Sequence, residues 1–475
     1  MKLSEYADLD GLGIAELVKT GEISAAEAAS TALEAIDAVN PQLNAVIEDY
    51  PDRVMALETQ DPPDGPLKGV PFLVKDLVVH EAGQTNELGS RLAKGLVAPG
   101  ETELMRRFKA AGLVNLGRTT TPEFGFCATV EALLYGPTHN PWNLGHSPGG
   151  SSGGSSAMVA ARAVPIAHAN DGGGSIRGPA SWCGLVGLKP TRGRNPLGPD
   201  YGELIGGLVC EHVVTRTVRD SAAILDATAG ADPGAPYVAP VPSRPFLDEV
   251  GADPGRLKIA FSARSIHGHD PDPACAEAVE QAARLCEGLG HQVVEDVPAV
   301  DGGQLAPLFG TLWAAFGAWT LRDWEVRTGR TATPEQFEKH TWIMSETDKN
   351  LRASDLAMAM QNLQRFARKV AGFHETYDVW LTPTMNTPPP PLGFFEHVKE
   401  DRARARLRME AAANYTSLCN VTGQPAISLP LHQTADGLPV GVQLIGRYGD
   451  EAALFRLSAQ LEAAQPWADK WPGVS

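Results

Sequence analysis

Residues 145–193 read GHSPGGSSGGSSAMVAARAVPIAHANDGGGSIRGPASWCGLVGLKPTRG. Three kinds of local signal follow one another in this stretch. SSAMVAARA, after the glycines, has the small and apolar residues of a packed helix. VPIAHA is an apolar run of the length of a buried strand, and NDGGGS is a turn. Helix and strand alternating at this spacing predict an α/β fold, a sheet packed between helices.

The pattern holds on both sides. Residues 24–39, SAAEAASTALEAIDAV, open on the capping-box pair Ser24 and Glu27 and continue with apolar residues at helical spacing, predicting an N-terminal helical layer. GVPFLVKDL, from Gly69, reads as a buried strand with Lys75 at its end. ETELMRRFKAAGLV (101–114) predicts helix then strand, LKIAFSA (257–263) a strand, DPACAEAVEQAARLCEGLG (272–290) an amphipathic helix closed by glycine, and HQVVEDV another strand. Residues 301–375 are mostly helical and carry Phe309, Trp313, Phe316, Trp319 and Trp324, either as core packing or as a substrate wall. The prolines of TPPPPLG (387–393) exclude helix and sheet interior. Beyond them AISLPL, GVQLIG and EAALFRLSAQLEAA return to strand and helix, so the C-terminus is expected to complete the sheet and residues 1–475 to form one domain.

Composition narrows the function classes. With 43% hydrophobic and 20% charged residues, the 475-residue chain has the make-up of a globular protein. A net charge of -17 opposes binding to nucleic-acid phosphates or anionic lipid. The start MKLSEYADLDGLGIAELV has no basic segment leading into an apolar core, and no apolar run approaches the ~20 residues of a membrane span. A cytoplasmic protein with no membrane and no nucleic-acid partner is expected. The six cysteines (Cys127, Cys183, Cys210, Cys275, Cys286, Cys419) are scattered without C-x-x-C spacing, which predicts buried reduced thiols and neither a disulfide framework nor a zinc site.

Chemistry concentrates in the glycine-rich stretch. PGGSSGGSS (148–156) lies inside the α/β pattern, where a linker is not expected, and lacks the Lys-Ser or Lys-Thr ending of a phosphate loop. Gly149, Ser151 and Gly153 satisfy the nucleophile-elbow pattern G-x-S-x-G, but that elbow needs a strand immediately before its serine, and NPWNLGHSP is turn-like. Ser175 has what Ser151 lacks: strand-like VPIAHA leads into three glycines, whose backbone freedom lets N–H groups converge on one point and hold an oxyanion. A serine hydroxyl also needs a base. No context singles out one of the twelve histidines: His168 lies in an apolar strand, and His267 with His269 makes only an H-x-H pair. Lys75 is the other candidate, provided burial lowers its pKa from ~10.4 to about 7 or 8. A lysine snorkelling from a strand end to water is the competing reading.

GVPFLVKDL around Lys75, NPWNLGHSPGGSSGGSSAMVAA around Ser151 and NDGGGSIRGPASWCGLVGLKPTRGR around Ser175 resemble the amidase signature enzymes, with a weaker echo in NVTGQPAISLPL and DGLPVGVQLIG. The likeness spans most of the chain and is poorest over roughly 240–410. It implies a mixed central β-sheet flanked by helices on both faces, a catalytic core at about 65–235 and a more variable, mostly helical pocket region at about 300–410. It also implies roles. Ser175 matches the nucleophile, Ser151 a relay serine entered through a cis peptide from Gly150, and Lys75 the base. The backbone amides of Gly172, Gly173, Gly174 and Ser175 match the oxyanion hole, Ser152 and Arg177 supporting positions, and Gly125 and Phe126 the pocket lining. No metal or other cofactor is implied. Gly172 stands where the family often has threonine or isoleucine, and Leu77 where many members have asparagine; neither change touches the triad.

LNAVI (43–47), THNPWNLG, HANDGGGS and GLVGLKPTRGR are most similar to 6-aminohexanoate-cyclic-dimer hydrolases and related amidases. That similarity implies cleavage of a carbonyl C–N bond in a small hydrophobic or aromatic amide, cyclic amide, anilide or carbamate (the last a urethanase activity), through an acyl-enzyme, with a homodimer as an expected assembly. The glutamine-supplying subunit of glutamyl-tRNA(Gln) amidotransferase shares the motifs and is one alternative. A non-catalytic binding protein on the same fold is the other.

Overall fold

In a computed structural model, which describes residues 1–395, 408–409 and 411–475, the strands form one large mixed sheet and a small hairpin. In chain order they are β1 (Val46–Asp49), β2 (Pro71–Lys75), β3 (Val114–Thr119), the hairpin pair β4 (Glu131–Ala132) and β5 (Gly136–Pro137), β6 (Ile166–Asp171), β7 (Val186–Lys189), β8 (Cys210–Thr215), β9 (Lys258–Phe261), β10 (Gln292–Glu295), β11 (Val379–Pro383), β12 (Ala426–Gln433) and β13 (Pro439–Gly446). Across the sheet the order is β1-β3-β2-β6-β8-β7-β12-β13-β11-β9-β10. C-terminal β12 and β13 complete the sheet and lie in its middle, between β7 and β11.

Side chains alternate across a strand, and here the alternation separates two cores. Val379 and Leu381, Ile259, Ile427 and Leu444 pack on one face with the helices Val218–Thr228, Pro273–Gly288 and Glu451–Ala464. Their neighbours Trp380, Ala260, Ala426 and Ile445 pack on the other with Leu305–Thr328 and Ala353–Phe373. The sheet is thus covered by helices on both faces.

The N-terminal helix runs Ala25–Leu43, with Ser24 accepting from the Glu27 amide at 3.0 Å as N-cap. The Glu27 carboxylate does not close the capping box and holds the amino group of Met1. The helix runs past the expected end at Val39, through Pro41, until Asn44 takes a left-handed conformation (φ 48°). The helical stretch of 301–375 contains Leu305–Thr328, Lys339–Thr347 and Ala353–Phe373, while residues 396–407 and 410 of the expected pocket region lie outside the described residues. All six cysteines are buried and unpaired. Among the described residues no helix is long and apolar enough to cross a membrane.

One register decides where the site lies. β2 and β6 are parallel neighbours, with Phe72 opposite Ile166 and Leu73 opposite Ala167. Both strands end at the same edge, so Lys75 arrives beside the Asn170–Asp171 step, at the carboxyl ends where open α/β sheets bind ligands.

Candidate active site

Lys75 is wholly buried and does not snorkel to water. Its Nζ is ringed by three oxygens: Ser151 Oγ at 2.7 Å, Ser152 Oγ at 3.0 Å and Asn170 Oδ1 at 2.6 Å. Burial draws its pKa down to about 7, against the opposing pull of the Glu211 and Asp171 carboxylates. Hydrogen-bond directions around Nζ are then constrained. Ser152 sends its own proton to the Asn170 carbonyl (3.3 Å), and the Asn170 amide Nδ2 donates to Leu77 (3.2 Å), so Ser152 Oγ and Asn170 Oδ1 face Lys75 as acceptors. A neutral amine has two protons and one lone pair. With the protons on Ser152 and Asn170, the lone pair is left for Ser151.

Ser151 is buried and follows a cis peptide from Gly150. It precedes the helix Gly153–Ala160 and is entered from irregular chain, so the strand that an elbow requires is absent at this position. Gly125 (φ 73°) packs over it: a Cβ there would lie 2.6 Å from Leu77 Cδ2 and 3.3 Å from Ser151 Oγ, which leaves no room for a side chain.

Ser175 is half-buried, just past β6, where the turn opens onto two cavities. The outer one, about 660 Å³, is lined by Gly125, Phe126, Gly173, Gly174 and Ser175 together with Phe309, Trp313 and Met344. An inner chamber of about 90 Å³ shares Gly125, Phe126, Ser175 and Trp313, and adds Ser151, Asn170 and Gly172. The two serine hydroxyls border this chamber without a direct hydrogen bond in this conformation.

The glycine turn is held by a buried ionic lattice. Arg177 donates to both Asp171 oxygens (Nη2–Oδ1 2.9 Å, Nε–Oδ2 3.0 Å), to the Thr416 carbonyl and to Asn420 and Gln443. Burial alone would raise the Asp171 pKa; the Arg177 charge and its hydrogen bonds outweigh it and hold the carboxyl down at about 2. Asp171 also accepts from the amides of Gly174 (2.7 Å) and Ile176 (3.1 Å). The Gly174 N–H, one of the four expected oxyanion donors, is thus bonded to Asp171 in this structure. The amides of Gly173 and Ser175 carry no such bond to a described residue. Thr416 Oγ1 closes the turn from outside by donating to the Gly173 carbonyl at 2.7 Å.

A model of the amidase family matches residues 27–455. The chain belongs to the amidase family. The 6-aminohexanoate-cyclic-dimer hydrolase of Pseudomonas sp. (strain NK87) is 38% identical over 98% of this chain and 96% of its own length. A solved 6-aminohexanoate cyclic dimer hydrolase with substrate superposes with a TM-score of 0.92 at 35% identity, over 98% of this chain and 99% of that one. A bacterial aryl acylamidase of the amidase signature family follows at 0.88 and 25% identity, covering 98% and 99%. The glutamyl-tRNA(Gln) amidotransferase chain of Thermotoga maritima lies further away, at 0.78 and 26%, covering 100% and 98%. This amidase is a hydrolase of carbon–nitrogen bonds other than peptide bonds.

Several residues of the amidase site escape sequence reasoning. Asn170 and Asp171 stand in plain view in HANDGGGS, but their roles depend on Lys75 and on Arg177, Asn420 and Gln443. His267 and His269, which the sequence offers only as an H-x-H pair, line the outer cavity together with His340. His168 is buried in β6 and bonded to Glu211 at 2.7 Å. Of the aromatic group, Phe309 and Trp313 face the cavities, whereas Trp324 is both a core residue and part of the inner chamber wall.

Proposed function

We propose that this amidase hydrolyses small hydrophobic or aromatic amides, with cyclic amides, anilides and carbamates in its range, through an acyl-enzyme on Ser175. Neutral Lys75 takes the proton of Ser151 while Ser151 takes that of Ser175, whose Oγ attacks the carbonyl carbon. The carbonyl oxygen gains negative charge facing the amides of the Gly172–Ser175 turn. The relay then reverses: the proton returns through Ser151 to the departing nitrogen, the C–N bond breaks, and the acyl group stays on Ser175. Water repeats the cycle as nucleophile, releasing the acid. No step calls on a metal or other cofactor.

The observation that carries the reading is the arrangement around Lys75 Nζ, where Ser151, Ser152 and Asn170 oxygens lie within 3.0 Å, so that a neutral amine with its protons on Ser152 and Asn170 would turn its lone pair to Ser151. The mostly apolar lining of the outer cavity, with Phe126, Phe309, Trp313 and Met344, supports a hydrophobic or aromatic substrate, as does the likeness to an aryl acylamidase. The reading takes the chain as one domain acting in the cytoplasm, alone or as a homodimer.

Purified Ser175→Ala should lose hydrolysis by at least ~10⁴-fold across a panel of aliphatic amides, anilides, cyclic amides and aryl carbamates while keeping its circular dichroism. Near-normal turnover by that variant would sink the nucleophile assignment. A fluorophosphonate should label Ser175 and spare Ser151; the reverse revives the elbow reading. Strict dependence of the wild type on partner proteins would favour the amidotransferase role.

A further inference from the structure

The two cavities that meet at Ser175 differ in one chemically decisive way. The inner chamber is lined by Ser151 and the outer cavity is not. A proton delivered by Ser151 can reach only a nitrogen on its own side, so the leaving amine must lie in the inner chamber and the acyl half in the outer cavity. This step rests on the relay reading of Ser151. Phe124, Tyr201, Trp319 and Trp324 supply aromatic faces to its wall, beside His80, Asp200 and Arg327, and suit a planar ring.

Trp313 borders both spaces. A Cβ on Gly172 would lie 3.6 Å from its Cζ2, and one on Gly173 3.9 Å away, so the indole edge lies along the glycine turn. The ring also packs on Phe126, edge-on at 5.6 Å between centroids, and on Phe309 at 5.7 Å. Packing holds the ring, because among the described residues its buried Nε1 has no hydrogen-bond partner.

We propose that Trp313 is a specificity-determining residue: its indole is the partition between the two cavities, and it limits the released amine to a single aromatic ring. The acyl half, in a space of about 660 Å³ against about 90 Å³, is far less restricted.

The test uses the full-length enzyme and two matched series. Acetanilide against N-(1-naphthyl)acetamide enlarges the amine, and acetanilide against hexananilide enlarges the acyl group. The wild type should favour acetanilide over the naphthyl amide in kcat/KM by ~10-fold or more, and Trp313→Ala should raise the naphthyl-to-phenyl ratio by a similar factor while moving the acyl ratio less than ~3-fold. Trp313→Phe loses no hydrogen bond, so it keeps the fold if the alanine variant does not, and its amine ratio should fall between the two. A shift in the acyl ratio alone, or no shift in either variant, overturns the proposal. Ser151→Ala separates the two claims. If it hydrolyses acetanilide like the wild type, the relay fails first; if it is inactive while the Trp313 variants leave the amine ratio unmoved, only the partition fails.

Discussion

Lys75 and Lys189 end two strands of one sheet, β2 and β7, and both are wholly buried. Burial lowers the pKa of each, since an ammonium without water is costly. What differs is the next atom. Lys75 Nζ meets the hydroxyl of Ser151, which borders the inner chamber. Lys189 Nζ donates to the Pro190 carbonyl at 2.8 Å and otherwise approaches Cys210 Sγ at 3.9 Å, a thiol whose own pKa burial pushes up. Desolvation makes either lysine easier to deprotonate. Only a partner that can pass a proton on to a cavity makes one of them a base.

The largest expected effect separates the two lysines directly. Lys75→Met keeps the stem volume and removes the amine, so kcat/KM should fall by ~10³-fold or more with the fold retained. Comparable losses in Lys75→Met and Lys189→Met, measured on one anilide, would break the comparison.

The pH profile comes next. On the proposed mechanism the active form has neutral Lys75, so kcat/KM should rise with pH through a midpoint of about 7 and lose about tenfold per unit below it. Stability should move the same way. The folded protein releases this proton near 7 and the unfolded chain only near ~10.4, so between those values the unfolded state holds more protons and stability rises with pH. A rate that is flat from pH 5 to 8 would remove Lys75 as base.

How far the sequence could be read follows the same divide between local and distant causes. VPFLVK and VPIAHA are legible as buried strands because a parallel strand covered on both faces is a continuous apolar run. The turn at Ser175 is legible because three glycines after a strand leave few other structures. Ser151 is not: its partner Lys75 lies 76 positions away, and GGSSGG by itself looks like a linker or an elbow. The lattice around Asp171 draws on Thr416, Asn420 and Gln443, more than 200 positions downstream, so no local pattern announces it. Trp313 is hidden for another reason. Its helix, Leu305–Thr328, carries aromatic residues on several sides, and spacing cannot tell which face meets a cavity.

Asn170 sharpens the comparison at an intermediate level. Its Oδ1 takes one Lys75 proton at 2.6 Å, which keeps the lone pair on Ser151 and also stabilises the ammonium. Asn170→Ala should therefore lower kcat by ~10-fold and shift the acidic limb to lower pH. Asn170→Asp puts a negative charge beside Nζ, favours the ammonium and should move the limb up. Limbs that stay in place in both variants would leave Asn170 a packing residue.

The smallest effect is the one that closes the comparison. Lys189→Met removes a buried amine with the same stem and leaves the Pro190 carbonyl without its donor, at a cost of ~1 to 3 kcal/mol, partly offset because no ammonium need then be desolvated. The amine touches neither cavity lining nor serine, so kcat/KM should stay within ~3-fold of wild type and the acidic limb should not move. Its charge does reach Asp171, which Lys189 helps to keep ionised, but Arg177 is the stronger influence on that carboxylate and remains in place. A melting curve and a pH–rate profile of Lys189→Met separate these contributions. Lower stability with an unchanged profile is the outcome expected of a lysine that is buried but has nowhere to send a proton.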